Sequence, residues 1–109
     1  MELIPERARS ALTWRLSKHA NRNWPTLDRI QTNFRGRYCY IDAIITGEPI
    51  KLCRLRYTGG SDNWLFALWH PASNTYRDAN LDYGLPQGPP ENALDTACEH
   101  RLPHAKQAA

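Results

Sequence analysis

The stretch 36–58, GRYCYIDAIITGEPIKLCRLRYT, sets Tyr and Arg among aliphatic residues at every second position. Such alternation belongs to a half-buried strand, on which successive side chains face opposite ways. Tyr38, Tyr40, Arg54 and Arg56 then share one surface, joined by Trp69 from a third apolar run, WLFALWH at 64–70. Aromatic rings beside guanidinium groups are the chemistry of base stacking and phosphate contact. The same residues also fit ordinary cross-strand pairs on a solvated sheet face. A second basic feature lies upstream in PERARSALTWRLSKHANR, where Arg7, Arg15, Lys18 and Arg22 fall within one arc of a helix beside its apolar stripe. Together the helix arc and the Tyr/Arg face predict a surface for DNA or RNA, with Arg7, Arg15, Lys18 and Arg22 on phosphates and Tyr40, Arg54 and Arg56 on bases or backbone. Read blandly, the arc is a solvated helix face.

Other residue sets carry weaker chemistry. Cys39, Cys53 and Cys98 with His19, His70, His100 and His104 contain no C-x-x-C or H-x-x-H pair, and Pro103 interrupts the helix that would align His100 with His104. All three cysteines fall on the apolar side of their elements, so they read as buried thiols, with no metal and no cofactor. A Cys–His pair, for instance Cys98 with His70, is a candidate nucleophile and base, but there is no nucleophile elbow, phosphate-binding glycine loop or paired-carboxylate motif. The reading is therefore non-enzymatic, with no catalytic residue assigned. Trp14, Trp24 and Trp69 have no evident place in the apolar pattern. Trp14 and Trp69 are the anchors expected if the chain instead binds a protein, as a homodimer or as a regulator of a partner.

The elements that must position these groups follow from periodicity. Ala8, Leu12, Leu16 and Ala20 predict a helix over 5–22 that ends at Trp24-Pro25. Strands are expected at 34–46 and 50–58, with a Gly47-Glu48-Pro49 loop. That register sets Ile41 opposite Leu55, Ala43 opposite Cys53, Asp42 opposite Arg54 and Tyr40 opposite Arg56, keeping both faces consistent. WLFALWH is apolar on both faces, which predicts a central or doubly covered strand. TYRDANL is a candidate short fourth strand. Leu94, Ala97, Cys98 and Leu102 mark the inner face of a helix within PENALDTACEHRL. The expected fold is α+β: an N-terminal helix, a three- to four-stranded antiparallel sheet and a C-terminal helix. It forms one domain over 1–102, with a basic helical segment at 1–30, the sheet and second helix at 34–102, and a flexible tail at 103–109.

Composition constrains the rest. The chain has 109 residues, a net charge of +3, and 41% apolar and 23% charged residues, as expected for one globular domain. Charge is graded along it: residues 1–37 hold eight Lys/Arg against three Asp/Glu, and residues 75–109 hold three against five. That gradient permits an anionic partner. No apolar leader or membrane-length run is present, and three unspaced cysteines suit a reducing compartment, so the expectation is a cytoplasmic protein without membrane contact.

Residues 34–102 resemble a group of small actinobacterial proteins encoded near mobile elements. The stretches that carry it are RGRYCYIDA, LCRLRYTGG, WLFALWHPAS and PPENALDTACEHRL. The resemblance implies an actinobacterial or phage origin and supplies no activity. The order helix–strands–helix is similar to a double-stranded RNA-binding domain, but the second helix opens PPENALD, acidic where that family carries lysines. The strands followed by a PENAL-type helix also resemble HicB-like antitoxins, which implies a partner protein and DNA.

Overall fold

A computed structural model describes residues 3–82 and 84–102; the tail expected at 103–109 lies outside them. The elements are α1 (Glu6–Asn23), β1 (Arg29–Arg35), β2 (Tyr38–Ile45), β3 (Glu48–Gly60), β4 (Asn63–His70), β5 (Thr75–Asp78), β6 (Gln87–Gly88) and α2 (Pro90–Arg101). The fold is α+β, as the periodicity implied, but among the described residues the sheet has six strands instead of three or four. It is antiparallel throughout in the order β1-β2-β3-β4-β5, and β6 pairs with β4 beside β5.

Two strands are additional: β6, a two-residue pairing with β4, and β1, which arises where an unbroken run was expected from residue 34. The chain turns at Gly36-Arg37, so 29–35 and 38–45 form a tight hairpin pairing Arg35 with Tyr38. Gly36 has φ +60°, the positive value a II′ turn requires at its first central position. β1 follows from the same periodicity, with Ile30, Thr32 and Phe34 facing inward beside Ala43, Ile41 and Cys39.

The β2–β3 register also differs. The turn is Thr46-Gly47, both at positive φ (+48° and +80°), the I′ geometry of two-residue hairpins. It sets Ile45 opposite Glu48 and Asp42 opposite Lys51. Left alone, that register would turn Arg54 and Arg56 inward. A β-bulge at Leu52 prevents this: beyond it Ile41 faces Cys53, Tyr40 faces Arg54 and Tyr38 faces Arg56. Leu52 and Cys53, adjacent in sequence, are both fully buried. Cys39 and Cys53 are therefore two positions out of level, where the expected pairing of Ala43 with Cys53 set them four apart.

Both helices cover one side of the sheet. The stripe Ala8, Leu12, Leu16 and Ala20 of α1, and Ala93, Leu94, Ala97 and Cys98 of α2, share a single core with Cys39, Ile41, Leu55, Trp64 and Phe66. Thr13 of α1 meets Thr32 of β1, Oγ1 to Oγ1, at 3.1 Å. The helices are joined by polar groups. Arg15 Nε and Nη2 donate to both oxygens of Glu91 at 2.7 and 2.8 Å, and Trp24 Nε1 donates to Asp95 Oδ1 at 2.9 Å. Trp24 is thus a core residue, 1% exposed. β4 is central, flanked by β3 on one side and by β5 and β6 on the other, although its second face is not covered by a helix.

Candidate functional site

The sheet surface away from the helices is built by alternation. On β2 the bonds of pleat that bury Cys39, Ile41 and Ala43 turn Tyr38, Tyr40 and Asp42 outward. The bulge on β3 lets Lys51, three residues before Arg54, join Arg54 and Arg56 on that side. β4 adds Leu65, Ala67 and Trp69, and β5 adds Tyr76 opposite Trp69 and Asp78 opposite Ala67. β1 contributes Arg29, Gln31, Asn33 and Arg35 through its pairing with β2. The register therefore gathers five cationic residues, Arg29, Arg35, Lys51, Arg54 and Arg56, against Asp42 and Asp78.

The aromatic rings touch in series. Tyr38 and Tyr40 lie with centroids 6.3 Å apart, Tyr40 and Tyr76 at 5.3 Å, and Tyr76 and Trp69 at 4.9 Å. Cations are laid over them: the Arg54 guanidinium is 4.7 Å from the Tyr38 centroid and 5.8 Å from Tyr76, and the Lys51 ammonium is 4.5 Å from Trp69. All four rings are half-buried, so each keeps solvent-facing surface. The Arg54–Asp78 pair is loose, at 3.8 Å with Asp78 almost fully exposed, and Arg56 is exposed and makes no ion pair to a described residue. Burial, reinforced by the nearby Asp42 charge, pushes the Tyr76 phenol up to about 12, so it is a neutral hydrogen-bonding group. Burial also raises the Asp42 carboxyl, and the attraction of Lys51 does not cancel it.

The helix arc is elsewhere. α1 lies on the opposite side of the sheet, so Arg7, Lys18 and Arg22 do not adjoin the Tyr/Arg surface. Arg15 is held by Glu91 and by Asp62, 2.6 Å from Nη1, which raises its already high pKa further. Lys18 stacks on Trp14 at 4.7 Å. Trp14 is 63% exposed and, with Phe34, Thr13 and Arg9, lines an open hollow of about 640 Å³ between α1 and β1. Of the expected site residues, the structure brings together Tyr40, Arg54, Arg56 and Trp69, and sets Arg7, Arg15, Lys18, Arg22 and Trp14 apart from them.

Sequence reasoning passed over Arg29, Arg35, Lys51 and Tyr76. The alternation Ile30-Thr32-Phe34 carried the signal for the first two. The adjacent apolar pair Leu52-Cys53 between two basic residues carried it for Lys51. His70 is hydrogen-bonded through Nδ1 with Ser73 Oγ at 3.0 Å, and Cys98 is fully buried with its thiol pushed up to about 12 by burial. Cys39 is raised likewise to about 12, and burial pushes the Cys53 thiol well up too. Among the described residues, no group of three or more His, Cys, Asp and Glu is placed to hold a metal ion, and no helix is long and apolar enough to cross a membrane. Compared with protein-family models, with curated proteins and with solved structures, the chain matches none.

Proposed function

We propose that this protein binds single-stranded nucleic acid on the helix-free face of its sheet. One observation carries the reading: four aromatic rings in a contact series, interleaved with Arg54 and Lys51 and rimmed by Arg29, Arg35 and Arg56, on a surface that neither helix covers. Unstacked bases present π-faces that such rings and guanidinium planes accept, while the rim cations neutralise the backbone. A duplex keeps its base faces stacked and offers a flat aromatic platform no ring to receive, so the single strand is the favoured form. The α1 arc plays no part in this contact, because it faces away and Arg15 is occupied by Glu91 and Asp62.

The test is fluorescence anisotropy with a labelled 12-nucleotide single strand, as RNA and as DNA, and a duplex of the same length, at 50 and 150 mM salt. Binding of the single strand that weakens with salt, and that Tyr40→Ala and Tyr76→Ala each reduce by about 1–3 kcal/mol, supports the reading. Absence of binding to every probe at the lower salt sinks it.

A second reading is carried by Trp14. A tryptophan more than half exposed, beside an open hollow, is an unusual feature of a free surface and a common anchor for a protein partner. It predicts loss of partner binding on Trp14→Ala with the sheet face left intact.

A further inference from the structure

The stacking surface contains a carboxylate that stacking does not use. Asp42 lies between Gln31 of β1 and Lys51 of β3. It lines an open pocket of about 590 Å³ together with Tyr40, Tyr76, Asn33, Arg35 and Lys51. Although half-buried, it accepts no hydrogen bond from a described residue, and the Lys51 ammonium is drawn to the Trp69 ring. The carboxylate is therefore left by the protein as an accessible acceptor on the platform, partly desolvated and facing an open pocket into which a ligand can bring donors.

The surroundings limit what that ligand is. A cationic side chain would meet Arg35 and Lys51, and an anion would meet Asp42 itself. What fits is a neutral, flat group that presents two adjacent N–H donors while resting on Tyr40 or Tyr76. Among the bases only guanine has this edge: N1–H and the N2 amino group point the same way and match the two carboxylate oxygens. Adenine and cytosine set a ring-nitrogen acceptor beside their amino group, and uracil flanks N3–H with two carbonyls, so each brings a lone pair against the carboxylate. The Asn33 amide can donate to guanine O6 from the neighbouring strand. We infer that the Asp42 pocket reads guanine within a bound single strand, a specificity that rests on the single-strand reading above.

The experiment compares four labelled RNA 12-mers at 150 mM salt: alternating U-G, alternating U-A, oligo-U, and alternating U with inosine, which lacks the N2 amino group. The expected result is about tenfold tighter binding of U-G than of U-A or oligo-U, most of it lost with inosine. Asp42→Asn replaces one acceptor with a donor at the same size. It is expected to remove the U-G preference while oligo-U affinity stays within about twofold, circular dichroism confirming that the variant is folded. If the wild-type protein binds all four probes equally, or if Asp42→Asn weakens all of them alike, the guanine inference is overturned and the stacking surface stands. If no probe binds at 150 mM salt or on repetition at 50 mM, the single-strand reading falls and the guanine inference falls with it.

Discussion

Arg15 shows how a residue read as a ligand contact becomes a structural one. Its guanidinium meets Glu91 with two parallel hydrogen bonds, the geometry in which Arg differs most from Lys. Both side chains are less than a third exposed, so the pair is shielded enough to matter. Burial alone would raise the Glu91 carboxyl, but the hydrogen bond from Arg15, with help from its charge and that of His19, holds it below the usual value. A carboxyl depressed on folding contributes stability above its unfolded pKa of about 4.3, and the contribution is lost as pH falls through the lower folded value. Glu91→Gln is therefore expected to lower unfolding free energy at pH 7 by about 1.5–3 kcal/mol. The gap between variant and wild type should shrink below about pH 4. Urea denaturation at pH 7 and pH 3 measures both.

At the scale of elements, the two hairpins explain how the outer face is assembled. Gly36 and the pair Thr46-Gly47 set the registers, and the Leu52 bulge rotates the rest of β3 so that Arg54 and Arg56 point outward while Leu55 and Tyr57 stay in the core. Thr46 is the weak point of this arrangement. A β-branched residue at φ +48° is strained, and its hydroxyl, bonded only to the Ile45 carbonyl at 2.7 Å, does not relieve the backbone. Asn is at ease in that conformation and is the usual partner of Gly in a I′ turn. Thr46→Asn is expected to raise unfolding free energy by about 0.5–1 kcal/mol, read from the urea midpoint at unchanged slope. The register would be preserved, so ligand affinity should not change.

The whole molecule separates its basic features by a sheet and a core. One side carries the α1 arc, the other the aromatic platform, and a strand of nucleic acid lying across one cannot touch the other. Reversing the other arc charges together, by Arg7→Glu, Lys18→Glu and Arg22→Glu, is expected to change single-strand affinity by no more than about threefold, the residue of long-range attraction after screening at 150 mM salt. Arg54→Ala and Arg56→Ala should each cost about tenfold or more, because they remove contacts on the platform. Anisotropy at fixed salt distinguishes the two sets, and a larger loss from the arc than from the platform would move the binding surface to α1.

Local pattern was sufficient for α1, whose four buried residues recur every four positions, and for α2, where Leu94, Ala97, Cys98 and Leu102 all turn inward as expected. It also placed Tyr38, Tyr40, Arg54 and Arg56 on one face, because both faces of the hairpin had to stay consistent, a demand the fold meets with a two-residue turn and a bulge in place of the expected three-residue loop. It did not separate β1 from β2, because one glycine among Arg and Tyr is a faint break until hydrogen bonding across the hairpin is seen. Nor did it find the bulge, whose reason is a pairing between strands and not a property of either one. Trp24 looked unplaced for the same cause: its partner, Asp95, is seventy-one residues away. What the sequence determined by itself were the periodic faces, each a matter of a few neighbouring residues burying apolar surface. Only the tertiary structure decided which side of the sheet the helices cover, and hence that Arg15 is bound to Glu91 while Lys51, Arg54 and Tyr76 meet in the open, because contacts between distant segments depend on how whole elements pack.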